Sequence, residues 1–273
     1  MTRNVDRRIL CDTHTHTLFS RHSYSTVEEC VRAAAERGLE LYGATDHYSA
    51  MLYPEHNGRH DVRDFQFFMN YEVWPREWHG VQVMHGCEAD IVDLEGHLFG
   101  WDVPVTHTLG GDVRWNETTL KKTVFRDCDY VVASVHGQDF AKGASTAQVT
   151  EMYIRALDDP KVLMLGHIGR TGLPIDVDAV VTAARDRGKL IEINETSLGR
   201  PGNTGRCRNI AERCAELGCC VAVNTDAHIA TDIGRFDLSI ALFDEIDFPQ
   251  ELVANRNAAA FRKALERGLG SAV

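Results

Sequence analysis

The chain of 273 residues has no run of about 18 or more apolar residues, so the sequence predicts no bilayer-spanning helix. Its opening, MTRNVDRRILCD, lacks the apolar stretch of a signal peptide, and the expected location is the cytoplasm. No CxxC pair occurs among the eight cysteines. Several stand inside apolar runs, where a free thiol acts as a small hydrophobe, so they are expected to be reduced and mostly buried. Positive charge is scarce: 29 Lys and Arg face 40 Asp and Glu, for a formal charge of −11. That balance argues against a nucleic-acid-binding surface. It leaves a phosphorylated small molecule open, because bound divalent cations invert the local field. There is no short-period repeat, no low-complexity segment and no Walker loop; the glycine-rich GRPGNTG lacks the closing Gly-Lys-Ser/Thr. With 44% apolar and 25% charged residues the composition is that of a globular protein, and a single domain over residues 1–273 is expected.

What is present is a recurring unit, a short apolar run that ends in a polar cluster and leads into a helical pattern. RRILCDTH is followed by TVEECVRAAAERG, where Val27, Val31 and Ala34 lie at helical spacing and Gly38 is a stop signal. Further strands are read in LELYGATDH, VQVMHGCEADIV, YVVASVHG, VLMLGHIG, KLIEINETS and CVAVNTDAH. An aromatic stretch, DFQFFMNYEVWPREWHG, precedes the third strand, and LEGHLFGWDV after it reads as a hairpin with Gly96 near its turn. Residues 104–117 are irregular, and the tail from 237 to 269 reads as two helices broken near DFPQ. Seven continuous apolar strands alternating with helices predict an α/β fold with a parallel sheet covered on both faces, a barrel before an open doubly wound sheet. In either, the functional face lies at the C-terminal ends of the strands.

Histidine or a carboxylate stands at every one of those ends: Asp12, His14 and His16; Asp46 and His47; Glu88; His136; His167; Glu192 with Asn194; Asp226 and His228. His14 and His16 are two apart, so on extended backbone both rings leave one face, and Asp226 with His228 repeats the arrangement. Zinc, manganese and iron accept imidazole nitrogen and carboxylate oxygen, and a carboxylate such as Glu88 can bridge two ions. The supply of ligands exceeds what one tetrahedral ion needs. His22, in the loop after the first strand, adds to it.

The ordered set DTHTH, TDH and DAH resembles the motifs of the PHP (polymerase and histidinol phosphatase) family of metal-dependent phosphoesterases. IEINETS, NTDAH with IATDIGRF, and FDEIDFP are similar to its YcdX-type branch, and the match runs nearly the full length. DxHxH alone is a weak signal shared with amidohydrolases; the whole ordered set is specific. The resemblance implies a distorted seven-stranded (β/α)7 barrel with three divalent metal ions, zinc or manganese with iron also suitable. Carried onto this sequence, one ion would take His14, His16, Glu88 and Asp226. A second would share Glu88 and take His136 and His167, and a third would take His22, His47 and His228. It further implies phosphomonoester hydrolysis by a metal-bridging hydroxide, a phosphorylated small-molecule substrate, and a homo-oligomer, a trimer by analogy. The stretch FGWDVPVTHTLGGDVRWNETT, residues 99–119, departs from the branch as an insertion suited to a loop over the site or an oligomer contact.

Other readings are weaker. Histidinol-phosphate or phosphodiester hydrolysis fits the same family, and a metal-binding but inactive scaffold would be expected to have lost ligands. An amidohydrolase would want a lysine at a mid-barrel strand end, whereas Lys161 and Lys189 fall at strand beginnings. Among the remaining histidines, His56, His60, His79 and His107 lack the strand-end context, though PEHNGRH suits a substrate mouth, and His85 alternates to the packing face. Asp12 is expected to orient a ligand imidazole. Asp46 either does the same for His47 or caps a helix. Arg170 and Arg206, ahead of Arg200, are the candidate phosphate-gripping residues, because guanidinium binds phosphate bidentately and their loops lie on the functional face.

Overall fold

The computed structural model describes residues 7–53, 60–105, 107–108, 111–112 and 118–270. Seven parallel strands pair in sequence order: β1 (Cys11–Thr15), β2 (Leu41–Ala44), β3 (Val81–Asp90), β4 (Tyr130–Ser134), β5 (Val162–Leu165), β6 (Leu190–Asn194) and β7 (Val221–Asn224). The expected α/β architecture is therefore present as a nearly closed seven-stranded barrel. Its helices are α1 (Val27–Glu36), α2 (Leu120–Arg126), α3 (Thr146–Ala156), α4 (Ile168–Thr171), α5 (Val177–Asp186), α6 (Glu195–Leu198), α7 (Thr204–Leu217), α8 (Asp237–Glu245) and α9 (Ala258–Leu269). Local chemistry starts several of them: Thr26 with Glu29 and Ser145 with Gln148 form reciprocal capping boxes at α1 and α3.

The seam between β1 and β7 explains the distortion. At the C-terminal ends the two strands meet directly, His16 N–H donating to Ala227 C=O and Asp226 N–H to His14 C=O, each at 2.9 Å. Lower down they part, and residues 253–256 wedge between them: Ala254 N–H reaches Val221 C=O at 2.8 Å and Leu10 N–H reaches Arg256 C=O at 3.1 Å. The Asn255 amide completes the bridge, donating to Cys11 C=O at 2.8 Å while accepting from Val223 N–H at 2.9 Å. A side chain thus replaces missing strand-to-strand hydrogen bonds, as buried backbone groups require.

The lower lumen is filled by Leu41, Met84, Tyr130, Val132, Met164 and Leu190, with Phe261 of α9 against Tyr130. Tyr130 reaches across to donate to Thr13 C=O at 2.7 Å. Gly43 makes room for it, since a Cβ there would lie 2.0 Å from the phenol oxygen. The aromatic stretch winds through 3-10 turns over Val62–Val73, broken at Phe65 and Asn70, and buries Phe65 and Phe68 outside the barrel. The hairpin after β3 forms as expected, Val92 N–H donating to His97 C=O at 2.9 Å with Gly96 at φ +80°. Most of residues 104–117 and of PEHNGRH lie outside the described residues. All eight cysteines are free, and all but the partly exposed Cys220 are buried. Among the described residues no helix is long and apolar enough to cross a membrane.

Candidate metal centre

Strand geometry delivers the site. On β3, Met84 and Glu88 share the inward face, so the face that is apolar below becomes acidic above. His47 pairs beside Glu88 through the short strand His47–Tyr48. His167 and Asp226 end their strands in left-handed backbone, φ 32° and 55°, which turns the chain sharply at the barrel mouth. Such geometry is unfavourable for residues with a Cβ and persists where surroundings fix it. Here they do: His167 N–H donates to Glu192 Oε2 at 2.7 Å and Asp226 N–H is held by His14 C=O.

Glu88 is the hub, fully buried. Its Oε1 lies 2.7 Å from His167 Nε2, 3.3 Å from His14 Nε2 and 3.5 Å from His136 Nε2. Its Oε2 lies 2.8 Å from His47 Nδ1 and 3.5 Å from His16 Nε2. Asp226 Oδ1 lies 3.0 Å from His16 Nε2. Despite these distances, Glu88 Oε2 and Asp226 Oδ1 accept no properly aligned hydrogen bond. Around these two oxygens ring nitrogens approach without a proton in line, whereas Glu88 Oε1 is hydrogen-bonded to His167 Nε2 at 2.7 Å. Farther out, His22 and His228 face each other, Nε2 to Nε2, at 2.9 Å.

An outer ring of acceptors fixes which nitrogen points inward. Carboxylates and carbonyls only accept, so a ring nitrogen against one carries the proton. His14 Nδ1 donates to Glu192 Oε1 at 2.7 Å, His136 Nδ1 to Asp90 Oδ1 at 2.5 Å, and His228 Nδ1 to the Asp226 carbonyl at 2.9 Å. Ser20 donates to Asp46 Oδ1 at 2.6 Å and therefore accepts from His16 Nδ1 at 3.0 Å. Each of these four rings turns Nε2 toward the cavity. Imidazoles backed by a carboxylate, a carbonyl or a hydroxyl in this way are usual around a metal ion.

Charge is tightly coupled. Burial pushes Glu88 upward, but His136, His14, His47 and His167 outweigh it and hold the carboxyl well below its usual range. Burial likewise opposes Asp226, which His16, His14 and Arg170 keep ionised. Burial and the neighbouring His47 hold His16 well below the usual imidazole value. His136 goes the other way: against burial, Glu88 and Asp90 lift it to about 9.

Three overlapping groups could hold ions among the described residues: His14, His16 and Glu88; His47, Glu88 and His136; and His16, His47 and His228. The last differs from the grouping carried over by resemblance, which set His22 with His47 and His228 and kept His16 for another ion. Nitrogen and carboxylate donors at these spacings fit zinc, manganese or iron, and the unsatisfied oxygens of Glu88 and Asp226 are what a cation would satisfy.

The predicted arginines separate. Arg170 lines a cavity of about 270 Å³ over the cluster and binds Asp226 Oδ2 at 2.5 Å, Asn194 Oδ1 at 2.9 Å and Ser197 Oγ at 3.0 Å. Arg206 donates instead to Gly169 C=O at 2.9 Å and to Asn203, while Arg200 lines the cavity. Asp12 departs from its expected role: it accepts from Thr225 N–H and Oγ and from Gly234 N–H, anchoring the turn after β7 rather than an imidazole. Asp46 grips Thr17 and Ser20, and so orients His16 rather than His47. His85 packs outward on Tyr71 and Trp74; His79 meets Glu28 at 3.0 Å; His60 lies against Phe99. Asp90 and Ser20 had no place in the sequence reading. Asp90 stands two after Glu88 on the same strand face, a signal that alternation provides; Ser20 lies in a 3-10 turn with no such pattern.

A family model described as the PHP domain matches residues 12–196. The chain belongs to the PHP family. It is 37% identical over 261 residues to a probable phosphatase of Caldanaerobacter subterraneus subsp. tengcongensis, covering 95% of this chain and 92% of that one. A probable phosphatase of Clostridium botulinum is 35% identical over 260 residues, 95% of each chain. The fold resembles histidinol phosphate phosphatase from Lactococcus lactis, crystallised with zinc, L-histidinol and phosphate, at TM-score 0.53 and 17% identity over 89% of this chain and 95% of that one. Family and relatives together support a phosphatase of the PHP family.

Proposed function

We propose that this PHP protein hydrolyses phosphomonoesters of small molecules and depends on three divalent ions, zinc or manganese. The observation that carries the reading is the Glu88 hub, with five inward histidines within 3.5 Å and an oxygen that no hydrogen bond satisfies. His14, His16, Glu88 and Asp226 would hold one ion, Glu88 with His136 and His167 a second, and His22, His47 and His228 a third; His16 also borders this last group. When bound, such ions acidify water and neutralise phosphoryl oxygens, so no side-chain nucleophile is required.

The chain's own residues do the rest. Arg170 spans from Asp226 to the cavity and is placed to meet phosphoryl oxygen beside the cluster. In hydrolysis water's oxygen bonds to phosphorus as the water gives up a proton, the ester P–O bond breaks with its electron pair on the leaving alkoxide, and that alkoxide takes up a proton in turn, so none is gained or lost overall. The test is p-nitrophenyl phosphate hydrolysis by chelator-stripped protein, with zinc, manganese and magnesium added back separately. Activity should vanish on stripping and return with zinc or manganese; undiminished activity after verified stripping would overturn the reading.

A further inference from the structure

The cavity walls say something about the far end of the substrate. Arg170 is anchored through Nε and Nη2 by Ser197, Asn194 and Asp226. Arg200 is its opposite. It is exposed on the cavity wall, and among the described residues no carboxylate or carbonyl pairs with its guanidinium. Its backbone is nevertheless fixed on both sides, Arg200 N–H donating to Ser197 C=O and Asn203 N–H to Arg200 C=O, each at 3.2 Å. A rigid turn thus presents an uncompensated cation in a chain of net charge −11, where carboxylates to pair with it are plentiful. Among the described residues the only carboxylate on the cavity wall is Asp226, and Arg170 with the histidines already claims it. An ammonium group on the substrate would find no free acid there, and an anion would find Arg200.

Resting on the phosphatase reading, we propose that the preferred substrate carries a second anionic group on its leaving portion, a carboxylate or another phosphate, and that Arg200 binds it. The neighbouring wall, Met51, Gln138 and Thr171, offers one apolar and two neutral polar surfaces for a short linker between the two anions. An arginine is suited to either anion through paired N–H donors.

The test compares metal-loaded wild type and Arg200→Ala on four esters: phosphoglycolate, propanediol bisphosphate, phosphoethanolamine and p-nitrophenyl phosphate. Wild type should favour the first two over phosphoethanolamine, the first two arms separating carboxylate from phosphate. The substitution should lower kcat/KM for those two about 10- to 100-fold, the range of a lost charge-assisted contact, and change p-nitrophenyl phosphate less than about 3-fold. An equal loss on all esters would place Arg200 on the scissile phosphate and overturn the proposal, as would no loss at all or a preference for phosphoethanolamine. If wild type cleaves none of them, the phosphatase reading fails by itself. Calorimetric binding of phosphonoacetate against methylphosphonate then still decides: tighter phosphonoacetate binding that disappears in Arg200→Ala supports the anion site, and equal binding of the two removes it.

Discussion

On the inward face of β3, Met84 sits low in the barrel among apolar side chains and Glu88 sits high among histidines. The same change runs up β6, from Leu190 to Glu192, and β7, from Ala222 to Asn224. The lower lumen is closed by Phe261 and bridged by Tyr130, each side chain apolar or hydrogen-bonded. The upper lumen buries Glu88, Asp226 and Glu192 with several imidazoles, leaves oxygens unsatisfied, and holds His167 and Asp226 in left-handed backbone. Burying charge is costly unless it is paired or ligated to a metal. The difference teaches that the lower half secures the strands and the upper half uses their rigidity for chemistry.

Breaking the upper half should therefore cost activity before stability. Glu88→Gln is expected to lower phosphatase activity by about 10³-fold, in the range of losing a central charged group, while far-ultraviolet circular dichroism stays native. Next in size, Phe261→Ala should do the reverse: about 3–5 kcal/mol less stability in urea unfolding, with activity per folded molecule nearly kept. Glu192→Gln keeps its shape but weakens the acceptor behind His14, so metal affinity measured by competition with a chelator dye should fall about 10- to 100-fold. The smallest effect is expected at His85→Leu. Both ring nitrogens of His85 are buried without hydrogen bonds, so the change should be neutral or raise stability by about 1 kcal/mol, and leave activity unchanged. A large activity loss there would blur the boundary between the two halves.

Most of the architecture was legible because parallel strands covered on both faces read as continuous apolar runs, and the polar residue ending each run marks the barrel mouth. The tail helices were likewise visible on either side of DFPQ. What lies between them was not: residues 253–256 act as strand substitutes through a single asparagine, which carries no periodic signal. At the site, His14, His16, Glu88 and Asp226 declared themselves by strand-end position, and the structure gathers them. Their supporting groups did not. Glu192 was visible at a strand end without a role, and whether an acidic side chain backs an imidazole or anchors a turn depends on distant partners. Asp46 and Asp12 show this: one reaches His16 through Ser20, the other holds Thr225 and Gly234. The arginines show it too, since loop position alone could not tell Arg206, folded onto Gly169, from Arg200, which faces the cavity.

The central claim is that the polar half of the lumen is a three-ion centre organised by Glu88 that hydrolyses phosphomonoesters. Native mass spectrometry of the stripped protein during zinc or manganese titration, with p-nitrophenyl phosphate turnover followed on the same samples, tests it most directly. The account predicts binding up to three ions per chain with activity rising as they load, and at least two ions lost in Glu88→Gln. Full turnover by metal-free protein, or a full complement of ions on Glu88→Gln, would contradict it.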